Sequence, residues 1–321
     1  MPRFSIVVPV YNVIDTLTEC VLSALSVSDC EILLVDDGST DGSSKLCDSL
    51  ASQYSDRDIR VFHKENEGLL LTRRFGFRHA QGDFIVNLDS DDRLEPCFEE
   101  RINEVIDSND PDVIFFKANT FELGVPTGSI SREDVLYNFA KSTAEPFVSM
   151  WSKVYKRNVL DMDRDYSALS GLKFGEDTIQ SLEIYANANS FYCIDDALYF
   201  YRIGTGVTAK YYENYYSDFA TVTHELLKHK DLFKVSDFES LMALKYFNFL
   251  GRSITQTRLK SPRMSFTEHV KLFEQIKSDD NYRTFEGYTF RHIRQVKPVY
   301  AIILILLKTN NFRLLHLLLS L

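Results

Sequence analysis

The first ninety residues alternate short apolar runs with segments of helical spacing, and this alternation limits the possible folds more than any other feature. Four runs rich in β-branched and aromatic residues are predicted to be buried strands: Phe4 to Val10, Glu31 to Val35, Ile59 to His63 and Phe84 to Leu88. Helices are predicted between them: Ile14 to Val27, a segment capped by Ser39 or Thr40 that ends at Tyr54, and Gly68 to Ala80. This order predicts βαβ units, and therefore an α/β fold with a Rossmann-like, mostly parallel sheet flanked by helices.

Polar clusters follow three of these strands at the point where each strand ends. Asn12 follows the first strand, Asp36 and Asp37 follow the second, and Asp89 to Asp92 follow the fourth. Because the carboxyl ends of parallel strands meet at one edge of a sheet, where ligands bind in folds of this class, we expect the three clusters to converge.

The alternation weakens after Asp92, and the remaining elements are short until the chain becomes mostly helical at Tyr211. The predicted elements are a helix over Glu95 to Ile106, a strand over Asp112 to Phe116, a loop over Gly124 to Ser131, a strand or irregular segment over Phe147 to Tyr155, and short strands over Phe191 to Ile194 and Leu198 to Tyr201. We therefore predict one domain over residues 1–210, in two halves (1–95 and 96–210). A helical C-terminal region would cover residues 211–321.

Composition excludes several classes of protein. Lys plus Arg is 36 and Asp plus Glu is 46, so the net charge of −10 argues against nucleic-acid binding. None of the five cysteines forms a C-x-x-C pair, which favours free thiols in a reducing compartment over a disulfide framework. The N-terminus opens directly on a strand-like run without the pattern of a secretory signal. These features predict a cytoplasmic protein.

The segment Asp89-Ser90-Asp91-Asp92 places three carboxylates within four residues. Their mutual repulsion is costly unless a positive charge compensates it. Mg²⁺ or Mn²⁺ prefers oxygen ligands, takes substrate phosphate oxygens as well, and neutralises a departing diphosphate as a Lewis acid. The alternative is a solvated Asp-rich turn that caps the helix predicted at Glu95.

Two further clusters have both a binding and a structural interpretation. Asp36 and Asp37 could accept hydrogen bonds from a base or a ribose, although an Asx turn that caps the next helix is the better interpretation of that segment alone. Arg73 lies about two turns along its helix, from where it could reach a diphosphate or a base edge. A solvated helix face is the alternative, and it suits Arg74 or Arg78 better.

Three candidates lie in the second half of the predicted domain. Asp177 is expected near a helix start, where it could deprotonate an acceptor hydroxyl or serve as the helix N-cap. Trp151 is the only tryptophan, and its ring could stack on a sugar, although a place in the core is more common. Lys153 could meet a phosphate.

Taken in order, these motifs resemble those of the family 2 glycosyltransferases. The resemblance is dense over about residues 4 to 95, in five motifs: Ile6 to Asn12, Val35 to Asp41, Asn66-x-Gly68, Asp83 to Ile85 and Leu88 to Asp92. It continues more thinly through three others: Trp151 to Tyr155, Phe174 to Asp177 and Tyr199 to Arg202. The family consists of inverting enzymes with the GT-A fold, many of which build bacterial surface polysaccharides.

The resemblance implies that residues 1–95 are the nucleotide-binding half of a catalytic domain and residues 96–210 its acceptor half. The nucleotide pocket would lie at the ends of the first two strands. Tyr11 would pack on the base and Asp37 would hydrogen-bond to it, while Pro9 and Asn12 would shape the pocket. Arg73 matches the arginine of the family's N-x-G-x-x-x-A-R-N stretch. This chain departs from that stretch at three positions: Leu70, Thr72 and Arg74.

The resemblance also implies where the reaction takes place. Asp89 would contact the ribose or a metal-bound water, and Asp91 would bind Mn²⁺ or Mg²⁺, together with Asp92. Asp177 matches the position of the family's catalytic base. The predicted activity is inverting transfer of a hexose-type sugar from a nucleoside-diphosphate sugar, a UDP-sugar, to a hydroxyl of a glycan or glycolipid in surface polysaccharide synthesis.

Two other functions compete with this one. A phosphotransferase of the haloacid dehalogenase type also uses a strand-end Asp-x-Asp. Its motif requires a threonine two residues after the second aspartate, and this chain has Arg93 there, which disfavours that function. A catalytically silent sugar-nucleotide-binding subunit on the same fold is the second alternative. The carboxylates of Asp89, Asp91 and Asp177 argue against it.

The C-terminal segment is basic and apolar, in contrast to the acidic remainder. Six basic residues and one acidic residue, Glu286, lie between Asn281 and Leu321. The apolar runs Val299 to Leu307 and Leu314 to Leu321 are too short to span a bilayer, which takes about 20 residues. They predict two short helices on the inner face of the cell membrane; packing on the transferase domain or in a homo-oligomer is the alternative.

Overall fold

The computed structural model describes residues 1–141, 146–204, 211–228, 230, 237–260 and 262–321. The chain divides into two compact units. The first contains Met1–Val135 and Ala144–Thr205, and the second contains Leu136–Thr143 and Gly206–Leu321.

The first unit is built on a mixed β-sheet. Its strands in the described residues are β1 (Phe4–Val10), β2 (Cys30–Asp36), β3 (Ile59–His63), β4 (Phe84–Asn87), β5 (Arg93–Leu94), β6 (Val113–Ala118), β7 (Gly128–Ile130), β8 (Lys153–Lys156) and β9 (Phe191–Phe200). Their order across the sheet is β3-β2-β1-β4-β8-β6-β9-β5, with β7 paired to β9. The first four strands are parallel to one another, as predicted. Beyond them the sheet is mixed, because β8 is antiparallel to both β4 and β6.

The helices of the chain, in the described residues, are α1 (Leu17–Ala24), α2 (Ser43–Gln53), α3 (Leu69–His79), α4 (Phe98–Asn109), α5 (Arg132–Lys141), α6 (Glu176–Asn187), α7 (Tyr215–Leu227), α8 (Phe238–Gln256), α9 (Phe266–Ser278), α10 (Asp280–Phe285), α11 (Thr289–His292), α12 (Pro298–Lys308) and α13 (Phe312–Ser320). Every residue of β1 and β2 is buried, which explains their near-continuous apolar sequences. Gly76 lets α3 approach β1 closely, since a Cβ there would lie 2.4 Å from Val7 Cγ1.

Several predicted boundaries are wrong for identifiable reasons. Ser39 and Thr40 do not cap α2, which begins at Ser43 after Gly42, because Ser39 and Thr40 hydrogen-bond Asn12 instead. The predicted loop over Gly124 to Ser131 contains β7, which pairs with β9. The two short strands predicted over residues 191–201 form the single strand β9.

The second unit is helical in its described residues, as predicted for the chain from Tyr211 onward. Helix α8 lies at its centre and is buried along most of its length. Tyr300 of α12 packs so tightly on α8 that a Cβ on Gly251 would lie 2.3 Å from its ring. None of the helices in the described parts of the chain is long and apolar enough to cross a membrane.

Candidate active site

Arg73 of α3 joins two parts of the first unit that are far apart in sequence. Its side chain is buried, and Nη2 donates a hydrogen bond of 2.8 Å to Asp89 Oδ1 at the end of β4. Nη1 donates to Asp177 Oδ1 in the first turn of α6, and Glu176 Oε1 lies 3.9 Å from the same nitrogen. Burial opposes the charge of Arg73, but Asp177, Asp89 and Glu176 outweigh burial and raise its pKa. One permanent cation therefore holds the strand-end carboxylates and the start of α6 together.

The three carboxylates that follow β4 have different surroundings. Asp89 and Asp91 are partly exposed, whereas Asp92 is buried. Burial is the main cause that raises the pKa of Asp89; Arg73 lowers this pKa, and the charges of Asp177 and Asp91 raise it further. The carboxylates of Asp91 and Asp177 thus both add negative charge beside Asp89, where Arg73 is the counter-charge.

Asp92 has a structural role in this arrangement. Its Oδ2 accepts a hydrogen bond of 2.9 Å from the Tyr199 hydroxyl, and its Oδ1 accepts one of 2.7 Å from the backbone nitrogen of Arg202. Burial, together with the charges of Asp89 and Asp91, raises the pKa of Asp92 to about 8. Both oxygens are thus engaged with β9 and the residues after it, which argues against Asp92 as a metal ligand.

A second, separate carboxylate pair lies at the end of β2. Asp37 is buried, and its two oxygens accept hydrogen bonds from the backbone nitrogens of Glu67 and Gly68, both at 2.9 Å. Lys64 Nζ lies 2.5 Å from Asp37 Oδ1. Asp36 Oδ1 accepts a hydrogen bond from the Ser39 backbone nitrogen at 3.0 Å, which agrees with the turn interpretation of this segment.

The residues that follow β1 complete the same loop cluster. Asn12 has a positive φ of 54°, and its Oδ1 accepts a hydrogen bond of 2.8 Å from the Thr40 backbone nitrogen. Tyr11 is 51% exposed, so its ring is open to a flat ligand. Pro9 is buried within β1, opposite Val35 of β2. Pro9, Tyr11, Asn12 and Asp37 therefore lie along two neighbouring strand ends.

Asp177 does not cap its helix. The N-cap of α6 is Gly175, so Asp177 lies in the first turn of the helix. Its carboxylate forms an ion pair with Arg73 and does not cap the backbone nitrogens at the helix start. Burial and the neighbouring charge of Asp177 raise the pKa of Glu176, which favours its protonated form. Asp177, which accepts a hydrogen bond from Arg73, is the better candidate of the two for a proton acceptor.

Three other candidates take structural positions. Trp151 is buried and stacks on Tyr199 with ring centroids 4.8 Å apart, which is the core interpretation. Lys153 is buried, and its ammonium donates to Ser149 O and, at 3.0 Å, to Ser181 Oγ. Burial lowers the pKa of Lys153 to about 7. Lys153 of β8 therefore contacts α6 through the hydroxyl of Ser181.

The expectation that Arg74 lies on a solvated helix face is wrong. Arg74 is buried, with Nη1 at 3.1 Å from Glu183 Oε1 and Nη2 donating to Asp161 O. Its guanidinium also lies 4.9 Å from the centroid of the Tyr166 ring. Arg78, one turn further along, is exposed as expected.

Residues outside the predicted set also shape the site. Glu176 lies beside Arg73, Tyr199 and Arg202 hold Asp92, and Lys64 pairs with Asp37. The adjacency of Glu176 to Asp177 and the Tyr199 to Arg202 motif were visible in the sequence. Their partners were not, because those contacts join residues about one hundred positions apart.

Among the residues that the structure describes, no group of three or more His, Cys, Asp or Glu side chains is arranged to hold a metal ion. Mg²⁺ and Mn²⁺ need less than that, since one or two carboxylates combined with substrate phosphates suffice. Asp89 and Asp91 offer such a pair of oxygen ligands, and both are partly exposed. The donor set therefore fits a divalent metal that is completed by its substrate.

Comparison with known proteins agrees with this geometry. Residues 5–161 match the family model "Glycosyl transferase family 2". A putative glycosyltransferase of Bacillus subtilis, EpsH, is 30% identical over 215 residues, and the B. subtilis protein EpsJ, an uncharacterised glycosyltransferase, is 29% identical over 221 residues. Each match covers 63% of this chain and 61% of the relative.

Solved structures show the same fold. Residues 1–349 of TarS from S. aureus, in complex with UDP-GlcNAc, superpose with a TM-score of 0.59 at 22% identity, covering 89% of this chain and 91% of that one. The mannosyltransferase PcManGT from Pyrobaculum calidifontis, in complex with GDP-Man and Mn²⁺, gives a TM-score of 0.57 at 15% identity, covering 95% and 86%. With its ordered motifs, its sheet and these relatives, the chain contains a family 2 glycosyltransferase domain and has the GT-A fold.

Proposed function

We propose that this chain is an inverting glycosyltransferase that moves a sugar from a nucleoside-diphosphate sugar to an acceptor hydroxyl. The observation that carries the proposal is the position of Arg73 between Asp89 and Asp177. It brings a carboxylate that would hold the metal for the donor's diphosphate next to a carboxylate suited to proton abstraction.

Asp177 is the proposed catalytic base. Its carboxylate accepts the proton of the acceptor hydroxyl as the oxygen attacks the anomeric carbon from the face opposite the diphosphate. The bond from that carbon to the diphosphate oxygen breaks, the nucleoside diphosphate leaves, and the anomeric configuration inverts. Arg73 is a positioning residue here, because its buried guanidinium fixes where the Asp177 carboxylate lies.

The donor's nucleoside is proposed to lie at the ends of β1 and β2. The exposed ring of Tyr11 would stack on the base, and Asp37, with Asn12 and Pro9, would shape the pocket. We propose a UDP-sugar, which is supported by a neighbour of the same fold that holds UDP-GlcNAc. Asp37 already accepts three hydrogen bonds, so any contact it makes with the base is an addition to that network.

Asp91 and Asp89 would hold Mn²⁺ or Mg²⁺, and Asp92 is left out of the set because its oxygens are engaged elsewhere. When bound, such an ion neutralises charge on the departing diphosphate. The chain's own part is to keep the Asp89 carboxylate in place through Arg73. A neighbour of the same fold is described with Mn²⁺, which supports the choice of metal.

The acceptor is proposed to be a glycan or a lipid-linked glycan, with the enzyme working in the cytoplasm at the inner face of the membrane. All five cysteines are free, as suits a reducing compartment. The helices α12 and α13 bury one face and expose another that is also apolar: Ile302, Ile305, Leu314, Leu317 and Leu321. A helix that is apolar on all sides is normally buried, either in protein or in a membrane.

The charge of α12 and α13 favours one of two possible partners for their exposed apolar face. Residues 297–321 contain Lys297, Lys308 and Arg313 and no Asp or Glu. Two copies meeting through the same face would bring equal charges together, whereas an anionic membrane surface complements both the charge and the apolar side chains. We therefore propose the membrane surface over a homo-oligomer.

The test of the activity is a panel of nucleotide sugars incubated with Mn²⁺ and the chain. We expect one donor to raise the thermal midpoint and to be consumed, with release of the nucleoside diphosphate, while Asp177→Asn binds the same donor without consuming it. Binding of a donor by the parent without consumption, in the presence of glycan and lipid-linked acceptors, would favour the silent binding subunit instead.

A further inference from the structure

His63, the last residue of β3, lies between two carboxylates that the proposed reaction does not use. Its Nδ1 is 2.9 Å from Asp36 Oδ2, and its Nε2 is 3.2 Å from Asp48 Oδ1 on α2. Ser44 Oγ lies 3.1 Å from Nδ1. Asp36 is almost fully buried, so its contact with His63 is shielded from solvent on one side.

The positions of the two carboxylates determine which form of the imidazole fits. An ionised carboxylate only accepts hydrogen bonds, and a neutral imidazole has one donor nitrogen and one acceptor nitrogen. With a carboxylate oxygen at each nitrogen, only the doubly protonated ring satisfies both contacts. The geometry at His63 is therefore that of an imidazolium.

Asp36 connects His63 to the loop that follows β2. Asp36 Oδ1 accepts a hydrogen bond of 3.0 Å from the Ser39 backbone nitrogen, and Ser39 Oγ accepts one of 3.1 Å from the Asn12 backbone nitrogen. Thr40 then donates from its backbone nitrogen to the side chain of Asn12. A continuous chain of hydrogen bonds thus runs from His63 to the residue beside Tyr11.

We propose that His63 is a positioning residue for the donor's nucleoside, and that its protonation holds the Asp36–Ser39–Asn12 loop in the form that binds the donor. The inference rests on the proposed function, since it assigns the nucleoside to that loop. It adds a dependence of donor affinity on pH that arises away from the reacting atoms.

The groups that face His63 define this dependence. They are the carboxylates of Asp36 and Asp48 and the hydroxyl of Ser44, and Cys47 lies near both carboxylates. Burial, with those two charges, raises the pKa of Cys47 to about 12, so the thiol stays neutral. The ammonium of Lys64, the next residue, is engaged by Asp37 and Glu67.

The direction of the effect follows from the pKa of His63. The hydrogen bond with Asp36, opposed by burial and assisted by Asp48, raises this pKa above its usual 6.5. The hold on the loop is therefore strongest below about pH 6.5, and its charge-assisted part is lost as pH rises through the raised value, while a neutral ring can still donate from Nδ1 to Asp36. Donor affinity should fall over the same range, by about 1.5- to 5-fold, the size expected for a partly exposed ion pair.

The experiment measures donor binding and turnover from about pH 6 to about pH 9. A nucleotide sugar is the probe, because its diphosphate carries no proton to lose in this range, whereas free UDP does. We expect the KM of the parent for the donor to rise across the pKa of His63 while kcat follows a separate profile. In His63→Gln, KM should be raised at low pH and should no longer change across that range.

Two matched variants sharpen the test. Asp48→Asn removes one charge beside His63 and should move the change in KM to lower pH. His79→Gln removes a histidine whose Nδ1 contacts Phe75 O, and it should leave the profile of the parent unchanged. A donor affinity of the parent that is independent of pH, or equal to that of His63→Gln throughout, overturns the inference and leaves the proposed function standing. Failure of every nucleotide sugar to bind at any pH overturns both.

Discussion

Two regions of this chain depart from ordinary globular packing in opposite ways. In α3 and α6 charged side chains are buried: Arg73, Arg74 and Glu183. In α12 and α13 large apolar side chains are exposed: Ile302, Ile305, Leu314 and Leu317. Burying a charge is costly unless it is paired, and exposing a large apolar side chain forgoes the stability of covering it.

The contrast shows how each kind of exception can be interpreted. The buried guanidinium of Arg73 pairs with Asp89 and Asp177 beyond the end of β4, where a ligand with charged groups would enter. Arg74 and Glu183 pair with each other. The exposed side chains of the second unit have no such chemistry, and they suit a surface contact. Paired charges that are buried at strand ends thus indicate a reaction site. Large apolar side chains that are left exposed indicate a surface that contacts another molecule or a membrane.

The strongest test of the buried charges is Asp177→Asn. Because an amide cannot accept the acceptor's proton, kcat should fall by about 10²- to 10⁴-fold with little change in donor affinity. Steady-state kinetics with a soluble acceptor measures this. Glu176→Gln is the matched control, since Glu176 lies 3.9 Å from Arg73 without a hydrogen bond to it. The kcat of this variant should fall much less. Near-normal turnover in Asp177→Asn would remove Asp177 from the reaction.

Arg74→Met tests whether the buried Arg74–Glu183 pair stabilises the fold, in contrast to Asp177, which is proposed to react. Removing Arg74 takes away the nearest cation of the buried Glu183 carboxylate and leaves it with Arg164 at 3.8 Å, which should lower the free energy of unfolding by about 3 kcal/mol. Urea denaturation followed by fluorescence measures the loss. The double variant Arg74→Met, Glu183→Leu should recover part of it, because no charge is then stranded. A single variant as stable as the parent would show that this pair contributes nothing.

Asp91→Asn and Asp92→Asn distinguish the proposed metal ligand from its neighbour. We expect Asp91→Asn to keep the fold and to weaken Mn²⁺-dependent binding of the nucleoside diphosphate by about 10- to 100-fold, since outer-shell changes alone reach that size. Asp92→Asn should keep most of that affinity, because its side chain faces Tyr199 and Arg202. Calorimetric titration with and without Mn²⁺ measures both. Equal affinity of Asp91→Asn and the parent would refute the assignment of Asp91.

The smallest expected effect concerns the exposed apolar face. Leu314→Ser combined with Leu317→Ser should reduce binding to anionic liposomes by about 3- to 10-fold and leave activity on a soluble acceptor unchanged. Substitution is preferable to deletion of residues 297–321, because Tyr300, Ile303, Leu304, Leu307, Leu315 and Leu319 belong to the core. Leu22→Ser, at an exposed leucine of α1, is the matched control. Binding that is unaffected by the pair, or absent in the parent, would contradict the membrane proposal.

The local pattern of the sequence was sufficient for the parallel half of the fold. Strands β1 to β4 were predictable because each is a short buried run with a composition that strands favour. Their order also brought Asn12, Asp37 and Asp89 to strand ends, which is a consequence of topology alone. The two C-terminal helices were predictable for the same reason, since their apolar runs are bounded by basic and turn-forming residues.

Only the tertiary structure decided what each charged side chain contacts. Arg73 and Arg74 are adjacent in sequence and both buried, yet one lies on Asp177 and the other on Glu183, more than one hundred residues away. Asp91 and Asp92 are equally plausible ligands in the sequence, but Asp92 turns toward Tyr199. The physical reason is that periodicity and composition determine the elements locally, whereas the direction and partner of a side chain depend on how distant elements pack.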